Sequence, residues 1–344
     1  MVGGPGADRY SRQVLFAGIS QSGQQALGRA RVALVGVGAL GTVLASELVR
    51  AGVGALRLID RDYVDWTNLQ RQSLYDESDA EAALPKALAA AEKLRRANSS
   101  VQLDPIVDDL TADNAEWLLA EHDLVLDGAD NFATRYLVND VCVKRDIPWV
   151  YAAVVASYGV VMPIIPHNTP CLRCVFVAPP APGTTATCDT AGVISPAVGV
   201  IASLAAAEAL KLLVGAREAL SRGLTWVDVW NNSFQRTPLG GPVADCPTCG
   251  QGRFEFLQAE RGSGAATLCG RDAVQVRPAQ PLQVPLAALA ERLRPLGEVR
   301  HNAHVLRFIT PPHELTVFPD GRTIVKGTSD PAVARSLVAR YIGS

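Results

Sequence analysis

Short apolar runs alternate with amphipathic segments along residues 31–150. The apolar runs, RVALVGVG and DLVLDGAD among them, are rich in Val and Leu, which is typical of buried strands. Strands that alternate with helices form a parallel sheet with helices on both faces. The pattern therefore predicts an α/β fold with a doubly wound, mostly parallel sheet, and ligands at the carboxyl ends of its strands. Helical periodicity predicts helices at about 39–51, 85–97 and 112–120.

Two breaks divide the rest of the chain. Residues 176–190 are rich in Pro, Gly and Thr and predict an exposed, mobile loop, which an apolar helix at about 197–214 follows. After a second, glycine-rich break the pattern is strand, helix, strand, hairpin and helix, with Asp320–Gly321 at the hairpin turn. We therefore expect a larger domain at 1–252 and a small C-terminal α+β module, of unknown role, at 265–344.

Composition and charge exclude some classes of partner. With 48% hydrophobic and 19% charged residues, the 344-residue chain has the composition of an ordinary globular protein. A net charge of −2 gives no electrostatic attraction to nucleic acid or to an anionic membrane. The apolar stretch from Val198 meets Glu208 too early for a spanning helix, and the N-terminus lacks the pattern of a secretory signal. We expect a cytoplasmic protein that binds neither membrane nor nucleic acid.

A glycine-rich turn follows the first predicted strand. Gly36, Gly38 and Gly41 leave room for a tight turn, and the following helix points its N-terminal amides toward a phosphate. Asp60, at the end of the next strand, is placed to accept hydrogen bonds from ribose hydroxyls. These features fit many adenosine cofactors, including the dinucleotide of a dehydrogenase, and they also fit a turn without any ligand.

The residues after Asp60 favour a triphosphate over a dinucleotide. Amides and cations follow it at Asn68, Arg71, Gln72 and Lys86. Two fixed cations beside an amide suit a triphosphate, whereas a dinucleotide has only a pyrophosphate bridge. Asp127 and Asp130 leave the end of another strand, where a carboxylate can hold Mg²⁺ against phosphate oxygens. Together these residues predict a site for ATP and Mg²⁺.

Four of the seven cysteines form two CxxC pairs. In a chain expected in the cytoplasm, such pairs indicate a metal before a disulfide. Four thiolates make a closed, tetrahedral Zn²⁺ site with no position for water, so the expected role is structural. Cysteines that lie on the surface by chance are the alternative. The pairs are Cys171 with Cys174 and Cys246 with Cys249.

Several of these motifs together resemble the MoeB/ThiF family of adenylating enzymes, which are related to the ubiquitin-activating enzymes. The resemblance covers about residues 8–252 and implies a Rossmann-like fold of the ubiquitin-activating-enzyme type, a homodimer, and ATP, Mg²⁺ and Zn²⁺ as cofactors. It also implies adenylation of the C-terminal glycine of a ubiquitin-like sulfur carrier that ends in Gly-Gly, with release of pyrophosphate. The motifs are RYSRQ from Arg9, GVGALG from Gly36, Asp60, TNLQRQ from Thr67, Lys86, DGADN from Asp127 and the two CxxC pairs.

The resemblance further implies roles for individual residues. An arginine at the position of Arg12 reaches into the partner subunit's ATP site, where Arg71 and Lys86 are the other cations, and Asp130 holds Mg²⁺. Many relatives have a second consecutive glycine where this chain has Ala39, so its phosphate turn must accommodate a methyl group. The implied nucleotide contacts are Gly36, Gly38, Ala39, Gly41, Asp60, Asn68, Arg71, Gln72, Lys86, Asp130 and Asn131.

The remaining cysteines lie outside the CxxC pairs. Cys188, in the predicted loop, is by resemblance a candidate nucleophile toward the acyl-adenylate or in a persulfide relay, and a reactive but dispensable thiol is the alternative. Adenylation does not require it, because a carboxylate at neutral pH is already a nucleophile. Cys142 is expected in the core. Cys269 is expected to be buried, with a role in sulfur handling as the alternative.

Two other functions fit the same residues. One is adenylation of a free amino acid or peptide, and the other is a non-catalytic scaffold that binds a ubiquitin-like protein. For a sulfur carrier, a sulfurtransferase or a cysteine desulfurase is the expected further partner. The pathway stays open among molybdopterin, thiazole, thiolated tRNA and cysteine synthesis.

Overall fold

The chain forms two compact units in the computed structural model, which describes residues 9–180, 188–258, 265–267, 272–278 and 283–343. The larger unit consists of Met1–Ala80 and Lys86–Ala259, and the smaller unit consists of Glu81–Pro85 and Glu260–Ser344.

Eight described strands form the sheet of the larger unit, in the order β3-β2-β1-β4-β5-β6-β7-β8. The pairs from β3 to β5 are parallel, and the pairs from β5 to β8 are antiparallel. The predicted α/β fold with a mostly parallel sheet is confirmed. The strands are β1 Arg31–Val35, β2 Ala55–Ile59, β3 Gln102–Ile106, β4 Leu124–Asp127, β5 Trp149–Val155, β6 Tyr158–Ile164, β7 Gly223–Asp228 and β8 Ser233–Pro238.

Helices flank this sheet, whose central strands are apolar because both of their faces are buried. The predicted helices at 39–51 and 85–97 are confirmed, whereas the one at 112–120 is shorter than expected. The described helices of this part of the chain are α1 Ser11–Val14, α2 Ser20–Leu27, α3 Ala39–Ala51, α4 Glu77–Glu81, α5 Lys86–Ala97, α6 Ala115–Leu119, α7 Phe132–Lys144, α8 Leu172–Val175, α9 Cys188–Ala191 and α10 Ser195–Leu213.

The predicted apolar helix is α10. Among the described residues it is the one helix whose length and composition would allow it to cross a membrane. It packs against α3, β5 and β6, and Ala197, Ile201 and Ala205 are buried on it. It is thus a core helix of the larger unit, as the sequence predicts.

The smaller unit has an antiparallel sheet with six described strands in the order β11-β12-β13-β14-β10-β9. Phe308, Leu315 and Val325 lie in its apolar core with residues of both helices. Gly321, with φ of +82°, lies in the turn between β13 and β14 where the sequence predicts it. Strands β9 and β11 are not predicted. The elements are β9 Ala265–Thr267, β10 Ala273–Val276, α11 Leu286–Leu293, β11 Glu298–His301, β12 Leu306–Thr310, β13 His313–Val317, β14 Thr323–Lys326 and α12 Pro331–Tyr341.

Candidate functional site

The glycine turn between β1 and α3 packs closely against the end of β4. Gly36 has a φ of +88°, and a Cβ on it would lie 2.4 Å from the carbonyl oxygen of Gly128. A Cβ on Gly41 would lie 2.1 Å from the carbonyl oxygen of Gly36. A Cβ on Gly38 would meet only Nε2 of Gln72, at 3.8 Å. Gly36 and Gly41 therefore serve packing, whereas Gly38 borders open space at the N-terminus of α3, where backbone amides can donate to a phosphate.

Ala39 is the first residue of α3. Its methyl group belongs to a regular helical residue, so the fold of the turn does not require a glycine at this position.

Asp60 follows β2 and holds the same turn from the side. Its Oδ2 accepts a hydrogen bond from the backbone N–H of Val37 (2.7 Å), and its Oδ1 accepts one from that of Asp62 (2.8 Å). Burial raises the pKa of Asp60 and outweighs the lowering effect of nearby Lys86. Because each carboxylate oxygen has a further lone pair, Asp60 can still accept a hydrogen bond from a ribose hydroxyl.

Lys86 begins α5 and is buried beside the turn. Its Nζ lies 3.3 Å from Oδ2 of Asp62, and 4% of its side chain is exposed. The hydroxyl of Tyr75 lies 2.7 Å from the carbonyl oxygen of Val37 and 3.1 Å from that of Lys86, which ties the glycine turn to the start of α5. An ammonium group has three donors, so Lys86 can also donate to a phosphate oxygen.

The segment Trp66–Gln72 supplies two amides and a guanidinium. Asn68 is buried, and its Oδ1 accepts a backbone N–H at the start of the short 3₁₀ helix (3.1 Å). Arg71 is half-buried and donates to a carbonyl oxygen in the same segment (2.8 Å). Gln72 is 3% exposed, and its Oε1 has no hydrogen-bond partner among the described residues. Nε2 of the same amide lies beside Gly38. A buried polar atom without a partner costs free energy, so the amide of Gln72 fits a bound ligand.

The last residue of β4, Asp127, and Asp130 in the turn after it differ in availability to a ligand. Asp127 is buried, and its Oδ2 lies 3.0 Å from Nε of Arg135, so its charge is balanced within the protein. Asp130 is exposed, and its Oδ1 accepts a hydrogen bond from Nδ2 of Asn131 (3.3 Å). Asn131 also caps α7, because its Oδ1 accepts the N–H of Thr134 (2.9 Å). Of the two carboxylates, Asp130 is the one available to a metal ion.

Arg61, which follows β2, interacts electrostatically with Asp130. Its Nη1 lies 2.9 Å from Oδ2 of Asp109. Burial acts to lower the pKa of Arg61, but Asp109, Asp62 and Asp130 together raise it. The turn that carries Asp130 lies against the glycine turn, since a Cβ on Gly36 would be 2.9 Å from the backbone nitrogen of Ala129. The glycine turn, Asp60, Lys86, Gln72 and Asp130 are therefore gathered at the carboxyl edge of the parallel strands, where the sequence predicts a ligand.

Arg12 does not join this group within its own chain. Nε2 of the neighbouring Gln13 donates to the carbonyl oxygen of Ala51 (2.9 Å), at the C-terminal end of α3. With 13 residues, α3 is about 20 Å long, and the glycine turn lies at its other end. Arg12 itself is exposed.

The four predicted zinc ligands form one cluster. Their Sγ atoms all lie within 4.8 Å of one another, with neighbouring distances of 3.3, 3.6 and 3.8 Å. A tetrahedral Zn²⁺ site with Zn–S bonds of 2.3 Å has sulfur atoms about 3.8 Å apart, so the cluster can bind zinc. Burial and the neighbouring thiols raise the pKa of Cys171 and raise that of Cys249 to about 12, whereas hydrogen bonds lower that of Cys246. A divalent cation would supply the charge that four thiolates need.

The other cysteines differ in how far the structure describes them. Cys142 is fully buried, and burial raises the pKa of its thiol, so the prediction of a core residue is confirmed. Cys188 is the first residue of α9, but its side chain lies outside the described residues, as do residues 181–187 of the predicted loop. Cys269 also lies outside them.

Sequence reasoning missed Arg135, Tyr75 and Asp62. Tyr75 donates to the backbone oxygen of Lys86, and Asp62 pairs with the Lys86 side chain. Arg135 donates to the backbone oxygen of Ala129, the residue before Asp130. The one available signal was a basic residue, Arg135, in a largely apolar helix, eight positions after Asp127. Buried charges of this kind occur where a partner of opposite charge is fixed.

Comparison with known proteins identifies the family of this chain. The sequence matches the ThiF family over residues 10–248, more than half of the chain, and the chain belongs to this family. It is 45% identical over 337 residues to the sulfur carrier protein ThiS adenylyltransferase of Bacillus subtilis (strain 168), with 97% of this chain and 99% of that protein covered. It is 37% identical over 251 residues to the SAMP-activating enzyme E1 of Haloferax volcanii, with 73% of this chain and 92% of that protein covered.

The fold is also similar to that of a solved structure. The crystal structure of E. coli MccB matches with a TM-score of 0.63 at 25% identity, covering 72% of this chain and 73% of that chain. The alignment with the B. subtilis protein leaves out few residues of this chain, so it extends into the smaller unit.

Proposed function

We propose that this protein is an adenylyltransferase that activates the C-terminal glycine of a ubiquitin-like sulfur carrier. The observation that carries the proposal is the gathering of the open glycine turn, Asp60, Lys86 and Asp130 at one sheet edge. Membership of the ThiF family and the near full-length alignment with a ThiS adenylyltransferase support the choice of substrate.

The reaction joins a carboxylate to the α-phosphorus of ATP. A carboxylate oxygen of the terminal glycine forms a bond to this phosphorus, and the bond from the α-phosphorus to the bridging oxygen breaks. The products are the carrier acyl-adenylate and pyrophosphate. No general base is required, since a carboxylate at neutral pH is already deprotonated.

The side chains of the site divide into positioning groups and charge-stabilising groups. Asp60 binds the ribose, and the amides of Asn68 and Gln72 orient the nucleotide beside the glycine turn. Lys86 and Arg71 stabilise the negative charge on the transferred and departing phosphates, which fixed cations in a preorganised site do effectively. Asp130, with Asn131 next to it, would hold Mg²⁺, which supplies charge neutralisation on the phosphate oxygens when it is bound.

The protein acts as a homodimer in this proposal, with Arg12 completing the partner's site. The position of Arg12 at the far end of α3 from its own glycine turn supports this arrangement. Leu15 and Phe16, just after Arg12, are 75% and 65% exposed, and large apolar side chains next to each other on a surface favour an interface.

The four-cysteine cluster binds a structural Zn²⁺ in this proposal.

The carrier adenylate is the substrate of a later sulfur-transfer step. A sulfurtransferase or a cysteine desulfurase is the class of partner that would supply the sulfur. This chemistry belongs in the cytoplasm, where ATP is available.

The test is ATP–pyrophosphate exchange with the full-length protein, Mg²⁺ and each candidate carrier in turn. We expect exchange with a Gly-Gly carrier, and mass spectrometry should detect that carrier with one AMP group added. A carrier without its last glycine is the matched control and should give neither signal. The Lys86→Ala variant should lose exchange with the intact carrier.

Two results would redirect the proposal. Exchange with a free amino acid or a short peptide, and none with any carrier, would indicate a peptide- or amino-acid-activating enzyme. Carrier binding without exchange under any of these conditions would indicate a scaffold instead of an enzyme.

A further inference from the structure

A buried ion pair lies beneath the Asp130 turn. Arg135 in α7 is 7% exposed, Asp127 at the end of β4 is 1% exposed, and Nε of the first lies 3.0 Å from Oδ2 of the second. Burying two charges has a large desolvation cost, and packed apolar residues of similar volume often give equal or greater stability. Fold stability is therefore a weak explanation for this pair.

The contacts of the pair converge on one residue. Nη2 of Arg135 donates to the carbonyl oxygen of Ala129 (2.7 Å), and Oδ1 of Asp127 accepts the N–H of the same residue (2.9 Å). Both backbone groups of Ala129 are thus fixed by the two charged side chains. Asp130 is the next residue along the chain.

The guanidinium itself is held in place. Its Cζ lies 5.5 Å from the ring centres of Phe132 and Tyr151, and Nη2 is 3.4 Å from the carbonyl oxygen of Ala152 on β5. A planar group with donors in a fixed fork loses these contacts if a lysine replaces it.

On its other side, the same turn abuts the glycine turn. A Cβ on Gly128 would lie 2.4 Å from the carbonyl oxygen of Gly36. The Gly128–Asp130 segment is therefore confined between the glycine turn and the ion pair, so a loss of the ion pair would release one of its two supports.

We infer that Arg135 is a positioning residue that acts through Asp127 and Ala129 to hold Asp130 in its place beside the glycine turn. The inference rests on the proposed function, because it gives Asp130 a task in nucleotide chemistry. Arg135 touches neither nucleotide nor carrier in this role. Its loss should therefore slow the transfer of AMP more than it weakens the binding of ATP.

Two variants of the full-length protein test this. Arg135→Met combined with Asp127→Leu removes both charges without leaving one unpaired, which separates positioning from stability. Arg135→Lys keeps the charge and loses the fork. The matched control is Arg145→Met with Glu116→Leu, because this pair (2.8 Å) joins the end of the same helix to α6 and is more exposed.

The expected result is a split between kinetic parameters. In the test variants, kcat for carrier-dependent exchange should fall about 10- to 100-fold, as for other groups that orient a metal ligand, with little change in the KM for ATP. The affinity for Mn²⁺ in the presence of a non-hydrolysable ATP analogue, measured by electron paramagnetic resonance, should fall as well. The control should keep the wild-type values.

A folded test variant with wild-type kcat and wild-type Mn²⁺ affinity would overturn the inference. A loss of fold in both test variants would also overturn it, because the role of Arg135 would then be structural. A wild-type protein without carrier-dependent exchange would contradict the proposed function only. The Mn²⁺ measurement would still test the positioning of Asp130.

Discussion

At the scale of single residues, Gly36 has two separate reasons to be glycine. Its φ is +88°, and a Cβ on it would lie 2.4 Å from the carbonyl oxygen of Gly128. Gly215 shares the first reason without the second, because its φ is +80° and nothing lies within 4 Å of its Cβ position. We expect Gly215→Ala to lower the free energy of unfolding by roughly 1–2 kcal/mol, the cost of left-handed backbone for alanine. Gly36→Ala should lower the free energy of unfolding by more and should also abolish ATP binding. Urea unfolding would measure the stability, and calorimetry would measure the binding. Equal losses of stability in the two variants would show that the contact with the end of β4 does not matter.

The residue scale also shows what the sequence could and could not predict. Asp60 and Asp130 could be predicted as candidates because they follow strand ends, and Lys86 because a fixed cation suits a triphosphate. Arg135 could not, because an isolated arginine in a helical pattern usually lies on the surface, and its buried partner is fixed by tertiary packing. The distinction between Asp127 and Asp130 likewise depends on burial, which the spacing of the two residues does not reveal.

At the scale of elements, the parallel half of the sheet was predictable and the antiparallel half was not. Strands β1, β2 and β4 are largely apolar runs, each followed along the chain by a helix, so their pattern is unambiguous. The turn from β5 to β6 is made by Ala156 and Ser157, with Ala156 at φ +51°, and it has no glycine or asparagine to mark a hairpin. Pro163 within β6 further weakens its strand pattern.

The cysteine cluster joins two distant segments of the larger unit. Cys171 lies next to Cys246 and Cys174 next to Cys249, and the residues of each pair are 75 positions apart in the sequence. If the cluster holds Zn²⁺, Cys174→Ser should lose the metal and lower Tm by roughly 5–10 °C, the effect of losing about 2–3 kcal/mol in a unit of this size. The matched variant is Cys142→Ala, which creates a small cavity in the core and should lower Tm while keeping zinc. Metal analysis and thermal unfolding would measure both, and wild-type protein purified without zinc would refute the metal assignment.

At the scale of the whole molecule, the place where the larger unit ends can be tested by truncation. Phe256 packs against Tyr136 with ring centres 4.8 Å apart, and its backbone N–H donates to Asp140 (2.9 Å). A chain that ends after Gln258 should therefore fold and bind ATP. A chain that ends after Glu255 lacks these contacts and should melt at a lower temperature. Calorimetry would measure both properties, and a loss of ATP binding by the longer chain would show that ATP binding depends on the smaller unit.

The proposed dimer gives the most discriminating prediction at this scale. If Arg12 acts in the partner's site, a dimer of one Arg12→Ala chain and one Asp130→Ala chain has one site with both groups intact and one site with neither. Equal amounts of the two variants, re-associated at random, should regain about a quarter of wild-type exchange, since half of the dimers are mixed and half of their sites work. The control mixes Arg12→Ala with the Arg12→Ala, Asp130→Ala double variant and should regain nothing. If native mass spectrometry detects the mixed dimers and exchange stays absent, Arg12 does not act across the interface, because every chain then lacks one of the two groups that its own site would need.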